Sequence, residues 1–178
     1  MRTVQKEEEL LWLADELLAN NVKSLLSIGL LDGGLEWNLA KIYRERDCTL
    51  DITGIDITNR QVLRRTIKDI MATWKQNFTF LHGSSNSPEI IAQLGRYDAV
   101  WIDGDHSYQG AKNDFELALK LTNNMIAFHD IIDCSYHRKK HCFVSQLWSE
   151  IKSNGYRTRE LAGDDWAGIG IVYLAETL

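Results

Sequence analysis

The sequence predicts a single-domain, doubly wound α/β sheet. Short, nearly continuous apolar runs of strand length recur along the chain. Segments with helical apolar spacing separate them. No repeat or low-complexity stretch divides the 178 residues, and there is only one proline. Continuous apolar runs suit strands covered on both faces, as in a parallel sheet. Strand–helix alternation is the pattern that winds such a sheet.

The elements follow in order. Leu10, Leu13, Ala14, Leu17 and Leu18 form an apolar stripe, which predicts an N-terminal helix within 1–22 and a core over 23–178. "SLLSIG" (24–29) is the first strand, and a helical pattern covers 35–46. "DITGIDI" (51–57) is the second strand, followed by a helix over 59–76 with Val62, Leu63, Ile67, Ile70, Met71 and Trp74 on one side. "FTFLHG" (78–83) is the third strand. Ser87-Pro88-Glu89 then reads as a helix start, with Ser87 as cap and Pro88 at the first helical position. "YDAVWID" (97–103) precedes a helix over 111–121, and "NMIAFHD" (124–130) is the fifth strand. Val144, Leu147, Trp148 and Ile151 have helical spacing, and "RTRELAG" (157–163) and "GIGIVYLA" (168–175) close the sheet.

Composition narrows the function. The apolar fraction of 44% and charged fraction of 25% are ordinary for a globular protein. A net charge of −5 argues against a nucleic-acid-coating surface. Cys48, Cys134 and Cys142 lack metal-finger spacing and read as free thiols in a reducing cytosol. The charged start "MRTVQKEEELLW" has no apolar signal core, and no apolar run approaches the ~20 residues that span a bilayer. The expectation is a cytoplasmic protein with no membrane and no nucleic-acid partner.

In a doubly wound sheet, ligands bind beyond the carboxyl ends of the strands. Those ends carry the chemistry here. "SIGLLDGG" follows the first strand, and Gly29, Gly33 and Gly34 allow a tight turn and close backbone approach. Leu31 stands where a dinucleotide fingerprint has its middle glycine. Asp56 ends the second strand, where an acid accepts ribose hydroxyls or caps the next helix. "HGSSNS" ends the third strand, as an adenine-side loop or an ordinary turn. Asp103, Asp105 and His106 follow the fourth strand, and His129 and Asp130 end the fifth. Adjacent strands lie ~4.8 Å apart, so these two tips can converge. Carboxylates plus an imidazole suit a divalent cation. His106 is placed to take a proton from an oriented hydroxyl. The run "HRKKH" (137–141) reads as a solvated loop on the side where substrate enters, able to hold an anionic acceptor.

"YDAVWIDGDHSYQGAKNDFELALKL…IAFHDI" resembles the small class I S-adenosylmethionine-dependent methyltransferases grouped with cephalosporin-hydroxylase and macrolide-sugar O-methyltransferase proteins. The likeness runs from about Lys23 to Leu174, and "GIGIVYL" resembles that family's last strand. The resemblance implies a Rossmann-like sheet of seven strands with the last antiparallel. It implies S-adenosylmethionine as cofactor, held by Gly29, Asp32, Gly33, Gly34, Asp56, Ile57, Gly83, Ser84, Ser85 and Asp103. It implies a Mg²⁺ or similar divalent ion on Asp103, His129 and Asp130, and catalytic roles for His106 and Asp103. The expected reaction is O-methylation of a small-molecule hydroxyl, on a sugar or natural product. A homo-oligomer that completes a bare pocket is left open. Ser27 replaces an acid that the family usually has for the cofactor's ammonium group, and Asp32 is a candidate substitute. The alternatives are a non-catalytic binding protein of the same fold with a drifted cofactor loop, and a nicotinamide-dependent oxidoreductase.

Overall fold

The computed structural model describes residues 5–163 and 167–174. The first four residues of the expected helical segment, and Ala175 of the expected last strand, lie outside them. Seven strands form one mixed sheet in the order β3-β2-β1-β4-β5-β7-β6, with helices around it, as expected. The chain divides into two compact units, Met1–Leu94 and Gly95–Leu178.

The first unit holds α1 (Glu7–Ala19), β1 (Ser24–Ile28), α2 (Gly34–Glu45), β2 (Asp51–Asp56), α3 (Gln61–Asp69), β3 (Phe78–His82) and α4 (Pro88–Ile91). β1, β2 and β3 pair in parallel, Ser27 opposite Gly54 and Asp56 opposite His82. Leu13, Ala14 and Leu17 of α1 are buried, as their stripe predicts. The helix expected over 59–76 is α only as far as Asp69. It continues as a π turn over Ile70–Trp74 and stops at Lys75, which is left-handed at φ 56°. Apolar periodicity cannot register such a one-residue widening of the turn. Ser87 caps α4 by accepting from the Ile90 amide at 3.3 Å, with Pro88 at the first position.

The second unit holds β4 (Ala99–Ile102), α5 (Tyr108–Leu121), β5 (Met125–His129), α6 (Ser135–Lys139), α7 (Val144–Ser153), β6 (Arg157–Leu161) and β7 (Ile169–Tyr173). β4 and β5 are parallel, and β7 runs antiparallel to both β5 and β6. α5 starts at Tyr108, three residues before the expected 111, because the Ser107 hydroxyl caps it at the Gly110 amide. The Asp105 carboxylate accepts from the Ser107 amide and packs where a Gly110 Cβ would stand. Asp105 therefore shapes the loop after β4. α7 lays Trp148 over Gly170 of β7, and Phe128 packs at tilted angles between Phe115 and Trp148. β6 is largely exposed and carries Arg157, Arg159 and Glu160, charges that suit an edge strand. α6 corrects the reading of 137–141 as a loop over its first three residues, while Lys140 and His141 form the turn after it. α6 is a five-residue helix with no apolar stripe, so periodicity passes over it.

Candidate active site

In the first unit, the residues expected to hold a cofactor gather at the ends of β1, β2 and β3. The turn after β1 is built by two left-handed glycines, Gly29 at φ 86° and Gly33 at φ 76°. Leu31 is left-handed too, at φ 53°, and stands exposed, whereas Leu30 is buried against Gly54. A Cβ on Gly33 would collide with Thr66 of α3. Thr66 also donates its hydroxyl to the Asp32 carbonyl at 2.8 Å.

Asp56 is the anchor of this turn. Its Oδ2 accepts from the Leu30 and Leu31 amides, both at 2.9 Å. Its Oδ1 accepts from the Thr58 amide at 2.6 Å and the Thr58 hydroxyl at 2.7 Å. Burial pushes the Asp56 carboxyl pKa up, but these four donors outweigh it and hold the group below the usual range. A carboxylate has about four acceptor positions. Asp56 thus fixes the glycine turn, and a further donor could bind it only in exchange for one it already has. Ile57, next in sequence, is 73% exposed. The Gly83 amide donates to the Asp56 carbonyl at 2.9 Å, which brings the start of the third loop beside Asp56. Ser84 is exposed and Ser85 buried.

Asp32 lies 3.4 Å from Arg60 across an exposed ion pair. The acid that comes to Ser27 is Glu36, which the sequence reading missed. Glu36 is 1% exposed in the first turn of α2 and accepts the Ser27 hydroxyl at 2.6 Å. A carboxylate is rarely so buried without engagement. An acid in the first helical turn, nine residues after a strand-end serine, was the available signal.

In the second unit, the tips of β4 and β5 converge. His106 Nε2 lies 3.2 Å from Asp103 Oδ1 and 3.1 Å from Asp130 Oδ2. His129 Nδ1 lies 3.5 Å from Asp103 Oδ1 and 3.2 Å from Asp130 Oδ1. Asp103, His129 and Asp130 each place one ligand atom within 4.8 Å of the others, a donor set that fits a divalent ion. Asp130 is left-handed at φ 61°, a conformation aspartate tolerates better than most residues. The amide of Phe143 donates to the His106 carbonyl at 2.7 Å and ties this loop to the start of α7. The sequence reading missed His137, which is buried with Nε2 at 3.3 Å from Asp130 Oδ1, and Cys142 beside it. His137 opens a charge-rich run that reads as solvated, and Cys142, just after it, reads from the sequence only as a free thiol.

The two carboxylates set the protonation of His106. Its hydrogen bonds to Asp103 and Asp130 outweigh burial and push its pKa up to about 10. Burial works against ionisation of Asp103, but His129 and His106 outweigh it and leave its pKa below the usual range. In the metal-free protein at neutral pH, His106 is therefore an imidazolium clamped between carboxylates. The linkage sign follows. The pKa is raised on folding, so the stabilisation is complete below about 6.5 and is lost as pH rises through about 10. In EDTA, the urea midpoint of the wild type should fall across that window, and that of His106→Gln should fall less. Equal slopes in both proteins would contradict the clamp.

A family model described as "Methyltransferase domain" matches residues 10–131, more than half of the chain. The chain belongs to this family, that of the class I S-adenosylmethionine-dependent methyltransferases, as the resemblance implies. No curated protein matches the sequence. Solved structures share the fold. An O-methyltransferase from Bacillus cereus, in complex with SAH, is 15% identical with a TM-score of 0.70; the match covers 96% of this chain and 82% of that one. The O-methyltransferase TomG from Streptomyces achromogenes, involved in tomaymycin synthesis and solved with SAM, is 13% identical with a TM-score of 0.68. That match covers 98% of this chain and 82% of TomG. Among the described residues no helix is long and apolar enough to cross a membrane.

Proposed function

We propose that the protein transfers the methyl group of S-adenosylmethionine to a hydroxyl of a small molecule, with His106 as the base. The observation that carries this reading is the meeting of His106 with Asp103 and Asp130 at the tips of two strands. The glycine turn at 29–34 receives the methionine end of the cofactor, where backbone can approach without a Cβ. Glu36 and Ser27 meet its ammonium group, in the place where the family's usual acid is missing. Asp56 takes the ribose in exchange for the Thr58 hydroxyl, and Ile57 with Gly83, Ser84 and Ser85 takes the adenine.

A divalent ion on Asp103, His129 and Asp130 would lower the pKa of the acceptor hydroxyl. The two carboxylates beside His106 keep it protonated near neutral pH, and a divalent ion held by those carboxylates would free it to accept a proton there. The hydroxyl proton then passes to Nε2. The oxygen attacks the methyl carbon, the carbon–sulfur bond breaks, and its electron pair stays on sulfur. Holding the reactants in line supplies most of the acceleration. Lys139 and Lys140, exposed at the end of α6, favour an acceptor with an anionic group. The role of TomG in tomaymycin synthesis favours a natural-product hydroxyl.

The non-catalytic reading also has an observation in its favour: Asp56 already has its four donors. Calorimetry with S-adenosylhomocysteine separates the two. Binding is expected, weakened ~10-fold or more by Glu36→Gln, the scale of one charge-assisted hydrogen bond. No heat at ligand concentrations on the order of 1 mM, a weak-binding limit of about 4 kcal/mol, would overturn the methyl-transfer reading and support the binding-protein alternative.

A further inference from the structure

We infer that Asp130, His137 and Cys142 form a binding site for a transition-metal ion of the zinc type. The site is distinct in its donors from the carboxylate-rich set of Asp103, His129 and Asp130, although Asp130 belongs to both. It does not depend on methyl transfer.

Three ligand atoms of different chemistry, a carboxylate oxygen, an imidazole nitrogen and a sulfur, lie within 4.8 Å of one another. His137 is 3% exposed and Cys142 is 5% exposed. The fold orients both. His137 Nδ1 lies 2.6 Å from the Ile132 carbonyl, which can only accept, so Nδ1 carries the proton. The lone pair of a neutral ring then sits on Nε2, and Nε2 points into the cluster. It is 3.3 Å from Asp130 Oδ1, within ion-pair reach, yet it makes no hydrogen bond. Two acceptors facing each other, one on a buried ring and one on a half-buried carboxylate, call for a cation between them. A backbone carbonyl behind a histidine is also the usual support of a metal-bound imidazole.

Cys142 is delivered by the end of α6. His141 is left-handed at φ 55°, and the Cys142 amide returns to the His137 carbonyl at 2.9 Å. That turn closes D-x6-H-x4-C into one cluster, a spacing that matches no metal finger. Burial pushes the Cys142 thiol pKa up to about 11, so the metal-free protein holds it protonated. A bound ion would displace that proton, since a coordinating thiol is deprotonated. Sulfur and imidazole select zinc, cobalt or ferrous iron over magnesium. Three protein donors leave a position open for water or a ligand.

The test uses Co²⁺ alone, added to the EDTA-treated full chain, with no cofactor. The expected result is a near-ultraviolet thiolate-to-cobalt band and strong visible bands of low coordination. His137→Gln should weaken Co²⁺ binding beyond the ~10–100-fold that loss of a supporting hydrogen bond costs. Cys142→Ser should abolish the thiolate band, and Asp103→Asn should keep it. The wild-type spectrum needs no variant to fold. Its lack of a thiolate band, or a band that survives in folded Cys142→Ser, would overturn the site. Neither result bears on S-adenosylhomocysteine binding, so the methyltransferase reading stands or falls separately.

Discussion

The His106 ring is expected to titrate near neutrality when Mg²⁺ is present and near 10 when EDTA removes it. The reason is local. Asp103 and Asp130 each lie within 3.2 Å of Nε2, and their charge holds the proton there. A divalent ion on the same carboxylates offsets that charge, and an imidazole left to itself has a pKa of ~6.5. Nitrogen-15 NMR of the ring reads the shift directly and needs no methyl acceptor. The rate of methyl transfer should follow it. With Mg²⁺ the rising limb of the pH–rate profile lies near neutrality, and without it the limb moves toward 10. His106→Gln should lower turnover ~10²–10⁴-fold, the usual contribution of a general base, and should remove the limb. A ring pKa unmoved by the ion would separate the cation from the base and end this mechanism.

Asp56→Ala is expected to damage the first unit twice. It removes four accepted hydrogen bonds at once, two of them from the turn amides of Leu30 and Leu31. Leu30 is buried, so its amide has little water to replace the lost partner. The cost is about 1–3 kcal/mol of stability, the scale for a stranded donor. Binding of S-adenosylhomocysteine should fall ~100-fold or more, since the turn loses its anchor along with the proposed ribose contact. Asp56→Asn should do less harm, because its carbonyl oxygen can still accept from the two turn amides. If Asp56 served the ribose alone, the alanine variant would keep its urea midpoint and lose only affinity. Urea unfolding beside calorimetry distinguishes the cases.

The carboxylate–histidine tips were legible because the signal is local. Apolar runs end in Asp103 and His129-Asp130, and placing those two runs as neighbouring strands suffices to bring the tips together. Ser87 was legible as a cap for the same reason. Asp32 and Glu36 show the limit. Both are acids near the glycine turn, and nothing in their spacing says which is buried. Packing of α2 buries Glu36 against Ser27, while Asp32 stays at the surface beside Arg60. Asp56 shows another limit. Its position predicted ribose or helix cap; α3 starts instead after Arg60 with no side-chain cap, and only the tertiary structure shows Asp56 giving its acceptor positions to Leu30, Leu31 and Thr58.

Periodicity and strand-end chemistry decided the sheet, its alternation with helices, and the pairing of His106 with the two strand tips. These depend on which face or end a residue occupies, and a period of 2 or 3.6 reports that directly. The tertiary structure decided the partners of Asp56, the burial of Glu36, and the turn that folds Cys142 back beside His137 and Asp130. Each of those is a contact made by a left-handed residue or a packed helix. No linear pattern encodes where such a bend sends the chain.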